Sequence, residues 1–555
     1  MKEKVNMRNA FALHMRGLKE LHTVSPKFFP LLTVYSIFSA ITPYITVFFS
    51  AQILKELATL RREDNLWQWV IAGVLCVGIA AIAKAMLYRR YNSLLNDIYG
   101  RKEILFIHKM FSLDFSELDK QENHDLRAQI QQNENWSSWG LMRVEEAYIG
   151  AVSSVIGLLS GIALTVSLFT SPVPESAGWL TVLNNPVFIL VLGAMMVVVS
   201  ILAGNLSAKA MSCWSDFAEE ATFGNRLFGH FGFIGTDRER SVDIRMNNQQ
   251  RLVSAYWTTN SSFGVDGPFG KAARGKMGVY ASLGVCITTL ITGFIYVFTC
   301  LKAWGGAFDV GSITQYVGAA TAMVTNVFAL TDLLGIMKTN APYLEKTFEF
   351  LDIPNAMYQG SLTTEKRSDR QYEVEFRNVS FKYPGSNSYV LKDCNFTIKF
   401  GDVVGLVGEN GSGKSTIVKL LLRLYDVTEG KILIDGVDIK ECDIKKYREL
   451  FAPLFQDYVR YSLSLRENVA LSNWAHLNND EEILSALDQS EMLQVTKLFE
   501  NGLDEEMTRR FEKDGKELSG GQWQRIALAR VFFAPHDFIV LDEPSAALDV
   551  FAEEK

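Results

Sequence analysis

Six stretches of this chain contain no Asp, Glu, Lys or Arg and are long enough to cross a lipid bilayer as helices: residues 28–54, 66–83, 147–174, 176–208, 277–301 and 310–331. A bilayer core takes about 20 apolar residues in a helix, with a range of roughly 17 to 25. Backbone groups in hydrocarbon find no water, so runs of this length satisfy their own hydrogen bonds as helices. The third and fourth runs are parted only by Pro172, Pro174 and Glu175. Asn184-Asn185-Pro186 adds a further turn signal, which predicts that the fourth helix starts near Val187. Six such runs argue against a soluble domain as the home of the first half.

Positive charge sorts the connections between the runs. Lys2, Lys4, Arg8, Arg16, Lys19 and Lys27 precede the first run, and the long connections 84–146 and 209–276 are rich in Lys and Arg. Connection 171–186 has neither, and 302–309 has only Lys302. The positive-inside bias then places both termini and both long connections on the cytosolic side of a cytoplasmic membrane crossed several times. Connection 55–65 is the exception, with Lys55, Arg61 and Arg62 partly offset by Glu56, Glu63 and Asp64. The two long connections are expected to be helices continuing past the lipid. Asp114-Phe115-Ser116-Glu117 and Thr236-Asp237-Arg238-Glu239 each read as an oxygen-bearing cap answered three residues later by Glu.

The net charge of −7 combines +2 up to residue 360 with −9 after it. An acidic half is a poor partner for phosphodiester backbones and argues against nucleic acid. The six cysteines are scattered without metal-binding spacing and read as free thiols. The organisation expected is a cytosolic leader (1–27) without a cleavable signal or processing domain, a six-helix membrane domain (28–340), a linker (341–370) and an α/β domain (371–555). In the last, the alternating run Tyr372-Glu373-Val374-Glu375-Phe376 opens a layered arrangement of helices on a largely parallel sheet.

Within that domain, Val403-Val404-Gly405-Leu406-Val407 reads as a short buried strand. It leads into Gly408-Glu409-Asn410-Gly411-Ser412-Gly413-Lys414-Ser415-Thr416 and an apolar helix, the phosphate-binding loop G-x-x-x-x-G-K-[ST]. Glycines let successive backbone N–H groups turn toward phosphates at a helix N-terminus. Lys414 is expected at the outer phosphates and Ser415 on Mg²⁺. Downstream, Phe538-Ile539-Val540-Leu541-Asp542-Glu543 is an apolar strand ending in paired carboxylates. Asp542 suits the Mg²⁺ shell and Glu543 the polarisation of the attacking water. Alone, such a pair reads as two solvated acids; beside a phosphate loop the functional reading prevails.

Leu518-Ser519-Gly520-Gly521-Gln522, just before Arg525-Ile526-Ala527-Leu528-Ala529-Arg530, resembles the signature motif of ATP-binding-cassette proteins. Tyr383 in Phe381-Lys382-Tyr383-Pro384 resembles the aromatic residue that stacks on adenine in that family. Gln456 in Phe455-Gln456-Asp457 resembles the glutamine that contacts Mg²⁺, and Ser545-Ala546-Ala547-Leu548-Asp549 the loop that crosses to the opposing subunit. Six spans preceding the cassette resemble an exporter-type half-transporter. The resemblance implies ATP and Mg²⁺ as cofactors, with Lys414, Gln456 and Glu543 as the catalytic set. It also implies a second chain, a homodimer being the expected form, because each ATP lies between one subunit's phosphate loop and the other's signature. The two capped segments fall where the family's coupling helices dock. The family's switch histidine has no counterpart up to Lys555, and His536 lies before the carboxylate strand.

The function implied is ATP-driven export of a peptide or amphipathic small molecule by alternating access. An ATP-gated channel or regulator, or an importer on the same fold, stands as the alternative. Thr314, Gly318, Thr321 and Thr325 recur at helical spacing in the last span and read equally as a translocation path or as tight packing. Gly157 and Gly161 read as a packing motif.

Overall fold

The computed structural model describes residues 6–216, 230–231, 234, 238–251, 254–255, 264–362, 371–533 and 536–544. The chain forms two compact units, one made of Met1–Ser112 with Gln121–Ile353, the other of Leu113–Lys120 with Pro354–Lys555.

The first unit is helical: α1 (Met7–Val24), α2 (Phe28–Lys55), α3 (Glu63–Ser112), then, after a short helix α4 (Phe115–Leu118) that belongs to the second unit, α5 (Gln121–Ser137), α6 (Leu141–Thr170), α7 (Pro186–Asp216), α8 (Gly278–Trp304) and α9 (Val310–Leu351). Six helices, among them α8 as part of Pro268–Trp304, are long and apolar enough to cross a membrane, and they coincide with the six uncharged runs. Helix α7 begins at Pro186, one residue before the expected start. Helix α3 has 50 residues, about 75 Å at 1.5 Å per residue, well beyond a hydrocarbon thickness of about 30 Å. Its apolar section leaves Ile71, Val74, Leu75, Ile79 and Ile82 uncovered by protein, as suits a face turned to lipid.

Glycines set the closest approaches. A Cβ at Gly157 would lie 2.6 Å from the Asn326 side chain, and one at Gly161 would lie 2.5 Å from Met323. Gly204 and Gly335 likewise admit Thr331 and Ala208 between α7 and α9. The expected packing role of Gly157 and Gly161 is what this contact of α6 with α9 displays. The exceptional basic residues of connection 55–65 are largely paired: Lys55 with Asp309 at 3.5 Å and Arg62 with Glu56 at 2.6 Å.

Asp114 departs from expectation. It precedes α4 without capping it, and its carboxylate instead accepts from the Met357 backbone N–H at 2.8 Å and from Gln359 Nε2 at 3.1 Å. Two donors from a neighbouring strand of chain outcompete one helix-end amide. Glu117 pairs with Lys120 rather than closing a box. Thr236 and Asp237 lie outside the described residues; a helix over Arg238–Met246 follows them.

The second unit holds strands β1 (Val374–Phe381), β2 (Leu391–Ile398), β3 (Glu429–Ile434), β4 (Val437–Asp438), β5 (Phe451–Leu454) and β6 (Phe538–Leu541). Among the described residues the larger sheet, in the order β2-β1-β3-β4, is wholly antiparallel, and only the β5-β6 pair is parallel. The largely parallel sheet expected is therefore corrected: β1 pairs antiparallel with β2 across the short connection 382–390, and antiparallel with β3 on its other edge. Residues 403–407 are also not a buried strand. They pair with no strand among the described residues, where β5 takes β6 directly as its neighbour, and Val403 and Val407 are fully exposed. The core gathers Val374, Phe376, Phe381, Leu420, Ile432 and Tyr447, with Phe376 stacked on Phe396 at 4.3 Å.

Candidate nucleotide site

The loop from Gly408 to Gly413 runs into helix α10 (Lys414–Leu421). Gly411 and Gly413 adopt φ of +83° and +96°, which side-chain-bearing residues avoid. At Gly413 a Cβ would also lie 2.7 Å from Leu391 Cδ2. Ser412 N–H donates to Glu409 O at 3.1 Å and closes the turn, leaving Glu409 and Asn410 exposed. The Lys414 ammonium folds back over the loop, donating to Gly408 O at 2.9 Å and Glu409 O at 3.0 Å.

Residues distant in sequence converge here. Ser415 Oγ donates to Asp542 Oδ1 at 3.2 Å, and Gln456 Nε2 donates to Glu543 Oε2 at 2.5 Å. Glu543 has φ of +52°, an uncommon conformation for a residue with a Cβ, and it turns the carboxylate toward the glutamine at the end of β6. A hydroxyl, a carboxylate and an amide oxygen are hard oxygen donors of the kind Mg²⁺ accepts. Ser415 and Gln456 are thus each bonded to one of the paired carboxylates at the end of β6, and this donor set fits the ion.

The signature turn has its own internal logic. Ser519 Oγ accepts from Gln522 N–H at 3.3 Å, while Gln522 Oε1 accepts from Ser519 N–H at 2.9 Å. This reciprocal cap opens helix α11 (Gly520–Phe533). A helix start carries four N–H groups without intrahelical partners, and the Gly520 and Gly521 amides are two of those the cap leaves over. No hydrogen bond joins this turn to the phosphate loop among the described residues. Ser545–Asp549 lie outside the described residues.

Tyr383 is engaged rather than free. Its hydroxyl meets Thr416 Oγ1 at 3.0 Å, its ring stands edge-on to Phe381 and Tyr425 at 5.0 and 5.3 Å, and Lys419 lies 5.6 Å over it. A cavity of about 500 Å³ opens beside it, lined in part by Ser116, Met357, Lys382, Pro384 and Tyr425, within the range of small-molecule sites. The roles of three residues escaped the sequence reading. Tyr458 donates to Gly520 O at 2.9 Å and ties the Gln456 loop to the signature helix. Tyr425 donates to Asp119 Oδ2 at 2.5 Å and packs edge-on against Phe115 of α4; burial and the adjacent Asp119 push its hydroxyl pKa up. Arg530 spans Val459 O and Asn468, and burial lowers its pKa to about 10. Tyr458 had a signal, two positions after Gln456; Tyr425 had none.

Residues 391–546 match the ABC transporter domain family. That segment is an ABC transporter domain. Similarity to the subtilin transport ATP-binding protein SpaT of Bacillus subtilis is 27% identity over 546 residues, covering 97% of this chain and 84% of the other. The nisin transport ATP-binding protein NisT of Lactococcus lactis subsp. lactis is 34% identical over 255 residues, 46% of this chain and 42% of that one. An ATP-dependent lipid A-core flippase of Methylobacillus flagellatus is 30% identical over 351 residues, 63% and 55% respectively. The chain accordingly carries an ATP-binding ATPase domain of the ABC type after an N-terminal region with six helices long and apolar enough to cross a membrane.

Proposed function

We propose that the protein exports a peptide or amphipathic small molecule across the cytoplasmic membrane by alternating access, as a dimer of two chains with both termini in the cytosol. The observation that carries this reading is the union, on one chain, of six helices of spanning length with a site where Lys414, Ser415, Gln456, Asp542 and Glu543 converge. Relatives named for subtilin transport, nisin transport and lipid A-core flipping support it.

In this reading ATP bound with Mg²⁺ supplies a transferable phosphoryl group and its charge neutralisation. Lys414 leaves its two carbonyl partners to meet the outer phosphates, with the loop amides from Gly408 to Gly413 beside it. Ser415, Asp542 and Gln456 hold the cation, and Glu543 orients water as general base. Tyr383 offers its ring to adenine. Ser519, Gly520, Gly521 and Gln522 meet the nucleotide on a second chain, which is why a dimer is required.

The test is ATP-driven uptake into inside-out vesicles carrying the purified protein. Accumulation of cargo above the outside concentration supports export; equilibration without accumulation would identify a channel, and loss of preloaded cargo an importer.

A further inference from the structure

Gln456 and Glu543 leave neighbouring strands at the same level. β5 and β6 run parallel with Leu454 paired to Leu541, so each of the two residues stands two positions beyond its strand's last pair. Asp542 N–H donates to Leu454 O at 2.9 Å, the last backbone hydrogen bond between the strands among the described residues. Past it the ladder no longer sets where the pair sits. Yet Glu543 holds φ of +52°, and a left-handed residue with a Cβ persists only where its surroundings over-determine it.

What surrounds it is one face of α11. Ala527 and Val531 pack with Ala452 and Leu454 of β5, and Gln524 and Gly520 continue that face toward the helix start at spacings of three and four. Gly520 O accepts from the Tyr458 hydroxyl at 2.9 Å, two residues after Gln456. The Gln524 side chain, 3% exposed, donates through Nε2 to Pro544 O, one residue after Glu543. A buried amide without a hydrogen bond is costly, so this attachment resists exchange for water. Further along the helix, Arg530 donates to Val459 O at 2.8 Å and holds the chain just beyond Tyr458.

Resting on the roles assigned above to Glu543 and Gln456, we propose that Tyr458 and Gln524 are positioning residues for ATP hydrolysis. Each fastens one partner of the Gln456–Glu543 bond of 2.5 Å to the N-terminal end of α11. The helix whose start carries the signature amides thereby sets where the base stands within its own chain. The triphosphate is held by other residues, Gly408–Thr416, so loss of either anchor moves the base without loosening the nucleotide.

The test measures ATPase activity of the full-length protein in lipid nanodiscs, expressed per site that binds a fluorescent ATP analogue, so unfolded protein drops out of the rate. A misplacement of about 1 Å can slow an enzyme about a hundredfold. Gln524→Met keeps the length and the burial but cannot donate, and kcat should fall by at least about tenfold. Tyr458→Phe keeps the ring and loses the hydroxyl, and kcat should fall by about threefold to tenfold. KM for ATP should stay within about twofold in both. On a Glu543→Gln background neither substitution should lower the residual single-turnover rate further, because residues that act as a unit are not additive. An unchanged kcat in Gln524→Met, a loss carried by KM instead, or an undiminished further fall on the Glu543→Gln background overturns the proposal. Glu543→Gln alone separates this from failure of the catalytic reading. Normal hydrolysis there removes the base itself, whereas an inactive Glu543→Gln beside a fully active Gln524→Met removes only the positioning roles.

Discussion

At the nucleotide site each polar group has found another: Ser415 with Asp542, Gln456 with Glu543, Lys414 with two carbonyls. On α9 of the helical unit, Thr321 and Asp332 keep oxygens that meet no donor among the described residues. The first arrangement is a set of loops open to water, where the partners of an empty-handed group can be exchanged for a ligand at little net cost. The second lies among packed helices, where an unmet polar atom is expensive and few alternatives are at hand. Loop chemistry can therefore be spelled as consecutive residues, whereas chemistry in the bundle is spread along a face at intervals of three, four and seven.

The largest expected effect breaks the comparison on the nucleotide side. Glu543→Gln keeps the shape and a hydrogen-bonding partner for Gln456 but removes the base. Turnover should fall at least about a hundredfold, in keeping with the weight of general-base catalysis, while binding of a fluorescent ATP analogue stays within about twofold. Normal hydrolysis by this variant would remove Glu543 from the catalytic set. On the helical side, Gly335→Val should act through packing alone. Its Cβ would fall 2.2 Å from Ala208 Cβ and 3.0 Å from Ala208 Cα, and overpacking of this kind costs about 1–3 kcal/mol. Thermal unfolding of the purified protein should shift downward, with no downward shift for Gly78→Ala, where nothing lies within 4 Å and Ala is the better helix former.

How much was legible in the sequence follows the same division. The six helices were readable because lipid imposes length and the absence of charge, and Pro186 marked the α7 start. The phosphate loop and the signature were readable because backbone geometry demands glycine at fixed places, and the carboxylate pair because an apolar run ends in it. The reciprocal bonds of Ser519 and Gln522 were not anticipated, although S-x-x-Q is itself a capping pattern. Residues 403–407 misled because an apolar β-branched run has no say in which strand becomes its neighbour. Asp114 misled because a cap is a local expectation, and a competing pair of donors came from residues over two hundred positions away. Tyr425 and Asp332 were invisible for a related reason: their meaning lies in partners present or lacking, which spacing along one helix cannot display.

Tyr425→Phe sharpens the picture on a smaller scale. It keeps the ring against Phe115 and Tyr383 but loses the bond to Asp119. A hydrogen bond to a charged group contributes about 1.5–3 kcal/mol, so amide exchange across Leu113–Lys120 should quicken by about tenfold or more. No change there would mean that ring packing alone holds α4.

The smallest effect concerns α1. Arg16 grips Asp352 through two hydrogen bonds of 2.7 and 2.6 Å and lies 4.2 Å over the Phe348 ring. The Arg16 hydrogen bonds hold the Asp352 carboxyl below its ordinary pKa. A depressed carboxyl pKa means that the contribution is fully present above the unfolded value, near about 3.9, and is lost as pH falls through the folded value. Both side chains are partly exposed, at 38% and 57%, so screening limits the pair to under about 1 kcal/mol. Arg16→Ala should therefore speed amide exchange in Met7–Val24 by no more than about fivefold at pH 7. The excess should shrink toward that of the lost ring contact as the buffer is taken well below the ordinary aspartate value of about 3.9, through the lowered folded value at which Asp352 in the parent protein gives up its charge. A difference that persisted undiminished in acid would assign the attachment of α1 to Phe348 and the buried Leu21 rather than to the ion pair.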